Sequence, residues 1–312
     1  MRRRDILAGA GSLATGAALS FPAPAIAQGT RQLKMVTDWP EALPGLQTSA
    51  VRFAHTIGVA TGGRIKIEVF PAGALVRPLE TFDAVSAGVA DMYSSAETYF
   101  EGKARAFNFF AAIPFGFTAD ELFAWVQYGG GQELWDALSG QFNIKSLLCT
   151  STGCQMGGWF TREDTSPDGF RGLRYRMPGP GAEVLRRLGA VVVILPAGEI
   201  MPALKSGAID ASDRRVIEAV AACEYARSLA EFNANNAVSL RKLRDEGTVK
   251  ILKFDDSLLK AFLGISKDVV AEIGSGDELS KKIYVSYEQF RASIMDWSDV
   301  AERAFLNSRR LA

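Results

Sequence analysis

Residues 153–212 read GCQMGGWFTREDTSPDGFRGLRYRMPGPGAEVLRRLGAVVVILPAGEIMPALKSGAIDAS, and this stretch decides the fold. The pattern predicts a strand carrying Gln155, a second strand ending at Arg176, and a Pro/Gly turn that opens a helix. A strand, a helix and a short strand then follow and close at Asp210. Within RGLRYRMPG, Arg174 and Arg176 share one strand face, while Leu173, Tyr175 and Met177 take the other. A fixed cation at the C-terminal end of a strand, beside a helix N-terminus, stands where open α/β sheets bind small anions. An arginine there can meet a carboxylate through two parallel hydrogen bonds. From the pattern alone, a solvent-facing arginine is an equal reading. Gln155 carries an amide donor and a carbonyl acceptor, so it suits either a ligand oxygen or a hard cation.

Upstream, residues 32–38 (QLKMVTD) read as a strand, and Leu46, Val51, Phe53, Ala54 and Ile57 supply a helical stripe ending at Gly62-Gly63. Arg64–Phe70 alternates as a strand, Leu79–Ala87 is helical, and Ala90–Ser95 is a short buried strand. This β-α-β-α-β order is the signature of a parallel α/β layer. Thr118 N-caps a helix that stops at Gly129-Gly130-Gly131, and Glu133–Leu138 is a second helix. Ile144–Thr150 alternates as a strand that crosses to a second lobe.

Downstream of Ser212, a long helix is predicted from Asp213 to about Glu246, with an apolar face of Val216, Val220, Cys223, Leu229, Phe232, Leu240 and Leu243. Thr248–Phe254 reads as a strand, 255–273 as a helix, and Leu279–Leu306 as a long amphipathic helix bearing Tyr284, Tyr287, Phe290, Ile294 and Trp297. The fold class expected is α/β: two lobes flanked by long C-terminal helices, which describes a hinged binding protein better than a barrel.

The first 27 residues are set apart from the fold. Arg2, Arg3 and Arg4 precede an Ala/Gly-rich apolar run to Phe21, and Ala25-Ile26-Ala27 is a small-x-small cleavage site. The pair Arg3-Arg4 before Asp5-Ile6-Leu7 matches a twin-arginine export signal, which predicts a periplasmic address. Removing this segment takes Lys+Arg from 35 to 32 and Asp+Glu from 35 to 34, a net charge of −2. Such a near-neutral chain gives no reason to expect nucleic acid or an anionic membrane as partner. With 48% hydrophobic and 22% charged residues, the composition is that of a globular protein.

Other groups have plainer readings. Gly129-Gly130-Gly131 follows a helix rather than a strand and reads as a helix cap, not a phosphate cradle. Cys149, Cys154 and Cys223 are an odd set with no ligand spacing, and Cys149 and Cys154 read as separate, partly buried thiols. His55 is the sole histidine, on the first helix; pairing it with Cys154 as nucleophile and base is formally open, but no motif specifies it. An enzyme is therefore the third-ranked reading, and the expectation is a protein that is not an enzyme.

Taken in order, several segments resemble one family across nearly the whole chain after residue 27. They are Gly63-Arg64-Ile65-Lys66-Ile67, Phe70-Pro71-Ala72-Gly73, Phe82-Asp83-Ala84-Val85, Phe109–Gly116, Gly129–Trp135, Gln155–Phe160, Arg176-Met177-Pro178-Gly179, Gly189-Ala190, Gly198-Glu199-Ile200 and Ser206–Ala211. The family is the solute-binding proteins of tripartite ATP-independent periplasmic (TRAP) transporters, in the branch taking 2-oxo acids and similar carboxylates. The resemblance implies a two-lobed, periplasmic-binding-protein-like fold (type II-like) closing on a ligand in the cleft. A first lobe at 28–150, a second at 151–212 and C-terminal elements at 213–312 completing the first are the expected divisions. By resemblance, Arg176 would clamp the substrate carboxylate, Gln155 would bind both substrate and a sodium or calcium ion, and Tyr99 would line the first-lobe wall. TRAP membrane permease subunits are the implied partners. The last helix, 279–306 with Trp297, is similar to the segment some members exchange in a homodimer; its exposed aromatics give that an independent motive.

One departure stands beside the match. In the family, the Gly-Ala-Ile-Asp-Ala run continues to a Glu-Trp pair and several dozen further residues, including another acidic ligand. Here Ser212 is followed at once by Asp213-Arg214-Arg215-Val216-Ile217-Glu218, which resembles the family's later long helix. Ser212 is expected to cap that helix. The missing segment would carry the rest of the metal and substrate site and a hinge strand. Its loss is expected to thin the first-lobe core and open one side of the cleft. A carboxylate binder impaired by this loss is the leading expectation; an interaction-only protein that no longer binds solute is the alternative.

Overall fold

A computed structural model describes residues 29–158, 160, 163, 166–193 and 211–309. The proposed export segment at 1–27 and the motifs between Gly198 and Asp210 lie outside these residues. The first lobe is built as the sequence pattern requires. Strands β1 (Arg31–Thr37), β2 (Ile65–Phe70) and β3 (Met92–Ser94) form a parallel sheet in the order β2-β1-β3, with Met35 opposite both Val69 and Met92. Helix α1 (Gln47–Ala60) and the short α2 (Thr81–Ser86) make the two crossovers. Every strand end therefore points to one edge, where β1 runs out into Thr37, Asp38 and Trp39.

The aromatic-rich region after β3 is the core itself. Phe107, Phe109 and Phe110 sit on a 3₁₀ segment and are buried with Trp125 from α3 (Ala119–Tyr128) and Trp135 from α4 (Gly131–Ser139). Phe110 lies stacked near both indoles, at centroid distances of 5.2 and 4.9 Å. Thr118 accepts from Glu121 N while the Glu121 carboxylate accepts from Thr118 N, a reciprocal capping box. Gly130, at φ +82°, makes the bend between the two helices.

Two strands expected from alternation are absent. Residues 144–150 and 248–254 belong to no sheet. A strand exists only through its ladder, and neither segment meets a partner strand among the described residues. Gln155 likewise lies in irregular backbone, not on a strand. Among the described residues the second lobe has a parallel pair, β4 (Arg174–Arg176) beside β5 (Val191–Val193), joined by α5 (Pro180–Arg187).

The C-terminal helices are α6 (Ala211–Glu246), α7 (Asp256–Gly274), α8 (Glu278–Ser298) and the short α9 (Ala304–Ser308). Because α6 starts at Ala211, Ser212 falls inside the helix rather than capping it. Its buried face is Ile217, Ala221, Glu224, Tyr225 and Ser228, one step round from the apolar stripe read in the sequence; Cys223 is exposed. The displacement has an electrostatic cause. Glu224 is 4% exposed and accepts from Ser49 Oγ (2.7 Å) and Arg52 Nε (3.0 Å) of α1, and Arg52 also pairs with Glu231 at 2.9 Å. A buried carboxylate satisfied in this way lets Glu224 join Ile217 and Ala221 on the line that packs against α1. Cys149, half-buried against the same pair, has its thiol pushed up to about 12 by burial, whereas Cys154 is exposed rather than partly buried.

The expected thinning of the first-lobe core is not observed. Ile283 and Tyr287 of α8 and Val269 and Ile273 of α7 enter the cluster around Phe107, Phe109 and Trp125, and the Tyr287 hydroxyl accepts from Phe117 N.

Candidate functional site

Two strand ends face each other across the lobes. Arg176 closes β4, where the register with β5 presents alternate residues to opposite sides. Leu173, Tyr175 and Met177 pack inward against Phe170, Leu185 and Leu258, so Arg174 and Arg176 face outward, as the alternation predicts. Arg176 Nη2 donates to the Tyr99 hydroxyl at 3.1 Å. Tyr99 stands on a four-residue 3₁₀ turn, Glu97–Phe100, which follows β3 directly. Its ring lies 6.3 Å from that of Trp39, whose indole donates to Ser94 Oγ. Arg176 and Tyr99, named from the sequence, are therefore in contact, one from each lobe.

The turn after β4 adds a second meeting point. Gly179 precedes α5 at φ +65°, and a Cβ there would stand 3.0 Å from Thr98 and 3.1 Å from Asn108 Oδ1. Only glycine permits both the dihedral and the approach.

Gln155 is placed by its neighbours. The Tyr175 hydroxyl donates to the Gly157 carbonyl, and Phe254 covers Gly157. This ties the loop carrying Gln155 to the strand residue next to Arg176. Gln155 Nε2 donates to Thr152 Oγ1 at 2.6 Å, which leaves its carbonyl oxygen as the group a cation could use. Among the described residues no three His, Cys, Asp or Glu side chains come together to hold a metal ion. One neutral oxygen does not make a sodium or calcium site, which needs about six oxygens. The described residues do not fit the ion.

Asp38 was not singled out in the sequence, although it sits at the C-terminal end of β1, where parallel sheets collect their polar groups. It accepts from Leu79 N (2.7 Å), Thr81 Oγ1 (3.0 Å) and Ser95 Oγ, and burial pushes its carboxyl above the ordinary range despite these bonds. It organises the loops behind Trp39 and Tyr99. His55 is exposed on α1.

Bacterial extracellular solute-binding protein family 7 matches residues 36–222, more than half of the chain. The chain belongs to this family, the solute-binding proteins of TRAP transporters. A monocarboxylate 2-oxoacid-binding periplasmic protein from Nostoc is 30% identical over 321 positions, 88% of each chain. Of the solved structures, a TRAP transporter solute-binding protein from Bordetella bronchiseptica has a TM-score of 0.85 at 28% identity, covering 91% of this chain and 98% of its own. That protein is a dimer with calcium and picolinate in one active site and an apo site in the other. A TRAP periplasmic solute-binding protein from Pseudoalteromonas atlantica, holding sodium and pyruvate, shares the fold at a TM-score of 0.82 and 24% identity, over 90% of this chain and 99% of its own. The two-lobed solute-binding fold expected from the sequence is thus the fold of the molecule. Among the described residues, no helix is long and apolar enough to cross a membrane.

Proposed function

We propose that this solute-binding protein captures a small carboxylate, a 2-oxo acid such as pyruvate or a hydroxy acid, in the cleft between its lobes. In this reading it is exported by the twin-arginine pathway and delivers its ligand to the TRAP membrane permease. The carrying observation is the Arg176–Tyr99 contact: a guanidinium and a phenol meet across the lobes on exposed side chains that a carboxylate can bridge. The 2-oxoacid specificity of the Nostoc relative supports the substrate class.

Binding is weakened by missing chain. The 321 aligned positions exceed this chain's 312 residues; 88% of 312 is about 275, so about 46 positions belong to the relative alone. We place them after Ser212, where the family pattern breaks. That 144–150 and 248–254 meet no ladder partner, and Gln155 no further ligand set, among the described residues agrees with that placement. Calorimetry of the chain without residues 1–27, with pyruvate, longer 2-oxo acids and lactate, with and without Na⁺ or Ca²⁺, is the test. Weak, metal-independent binding is expected. Tight binding that requires the ion would show that the site is complete by another route. No binding of any acid, together with a dimer by size exclusion, would favour an interaction-only protein. The exposed Trp297, Val300 and Phe305 of the last helices are the observation behind that second reading.

A further inference from the structure

The 3₁₀ turn 97–100 assigns a different task to each of its four side chains. Phe100 is buried in the first-lobe core, 4.8 Å from Phe82 and edge-on to Tyr93. Tyr99 meets Arg176, and Thr98 abuts Gly179. Glu97 points the other way, into the protein. Its Oε1 accepts from the Tyr93 hydroxyl at 3.2 Å, and its Oε2 has no hydrogen-bond partner. Trp135 Nε1 from α4 and Ser146 Oγ from the segment before the second lobe are turned toward this carboxyl, and both are buried without a well-formed hydrogen bond. No cation faces it from any of these elements. Asp38, the other acid acting on Tyr93, is negative in sign and held by its own donors.

A carboxylate enclosed by a phenol, an indole, a hydroxyl and aromatic rings, with no positive charge, is far costlier than a carboxylic acid in the same place. The phenol, indole and hydroxyl are all donors and favour the charged form, but Oε2 is left without a hydrogen bond and burial outweighs them. We propose that Glu97 is a positioning residue for carboxylate capture: as a neutral acid it pins the turn that sets Tyr99 and Thr98 against the second lobe, and its ionisation releases that turn. This rests on the Arg176–Tyr99 reading of the site. Burial raises the Glu97 carboxyl from 4.5 to about 7, so the release falls near neutral pH. Once ionised, the side chain gains by swinging toward water. It cannot do so without moving residue 97, the first residue of the turn, two positions from Tyr99.

Hydrogen exchange tests the turn without any ligand. Amide protection of 99, 103 and 104, corrected for the intrinsic rate, is measured at pH 6 and pH 8.5 in the full exported chain and in Glu97→Gln. Glutamine keeps the shape of the neutral acid and cannot ionise. The expected result is a roughly tenfold or larger loss of protection at pH 8.5 in the wild type, set by the free energy of burying the charge, and no such loss in Glu97→Gln. Equal loss in both proteins, or none in the wild type, overturns the proposal. The infrared band of a protonated buried carboxyl, measured on the wild type alone, guards against a variant that fails to fold: it should fade as pH rises through neutrality, and its absence at pH 6 also overturns the proposal. Where pyruvate binds, affinity should fall with rising pH in the wild type and stay flat in Glu97→Gln. Absence of pyruvate binding with the exchange difference intact would count against the carboxylate reading and leave the turn's dependence on Glu97 standing.

Discussion

The two lobes of this protein are built from the same parts but are filled very differently. The first has a three-stranded parallel sheet, a core of stacked aromatics and two C-terminal helices that close it. Among its described residues the second has two three-residue strands and one eight-residue helix, and its small cluster around Phe170 leans on Phe254, Leu258 and Phe262, residues in or just before α7. Helix α7 therefore serves both lobes, while α8 packs on the first lobe alone. The first lobe keeps its own support; the second depends on a neighbour.

The sharpest way to break this contrast is to cut each core once. Trp125 is fully buried and donates through its indole to Ser286 Oγ. Trp125→Ala should cost about 3–5 kcal/mol and lower the midpoint of the main urea transition. Phe170→Ala in the second lobe should leave that transition nearly in place and remove exchange protection from 173–193 only. If Phe170→Ala shifts the main transition as far as Trp125→Ala, the lobes form one cooperative unit and the contrast fails.

Charge gives a second, smaller contrast, opposite in sign. The folded Glu97 carboxyl holds its proton to about pH 7, while the unfolded one releases it near 4.5. Between these values the folded state binds more protons, so this group's contribution lowers stability as pH rises through the window and leaves it low above about 7. The rise corresponds to about 3 kcal/mol at most. Glu97→Gln is thus expected to be more stable than the wild type at pH 8 by about 2–3 kcal/mol and nearly equal to it at pH 4.5, read from urea midpoints. A variant less stable at pH 8 would mean that the carboxylate has a partner the geometry does not show.

What was legible in the sequence follows the physics of each signal. The β-α-β-α-β layer, the N-cap at Thr118 and the Arg176 strand end are local patterns, and the structure carries all three. The strands at 144–150 and 248–254 were not readable correctly, because alternation records a face and says nothing about whether a partner exists to hydrogen-bond it. The face of α6 was misjudged for a related reason: Glu224 reads as a surface residue until Ser49 and Arg52, distant in sequence, are brought to it. Arg176 and Tyr99 were available from resemblance; that they touch, and that Glu97 anchors the turn between them and the core, required the coordinates.

The least disruptive change should be the most telling for function. Arg176 is exposed, so its removal takes no core with it, and Arg176→Ala should leave the thermal midpoint almost unchanged. Lysine keeps the charge but loses the planar fork that meets a carboxylate along two bonds. If the carboxylate reading holds, Arg176→Lys should weaken pyruvate binding by about tenfold and Arg176→Ala by more, since charge-assisted bonds are worth about 1.5–3 kcal/mol each. Tyr99→Phe, which removes one neutral hydroxyl, should cost less than either. A lysine variant that binds as well as the wild type would mean that Arg176 contributes only its charge, and the two lobes would then meet at Tyr99 for structural reasons alone.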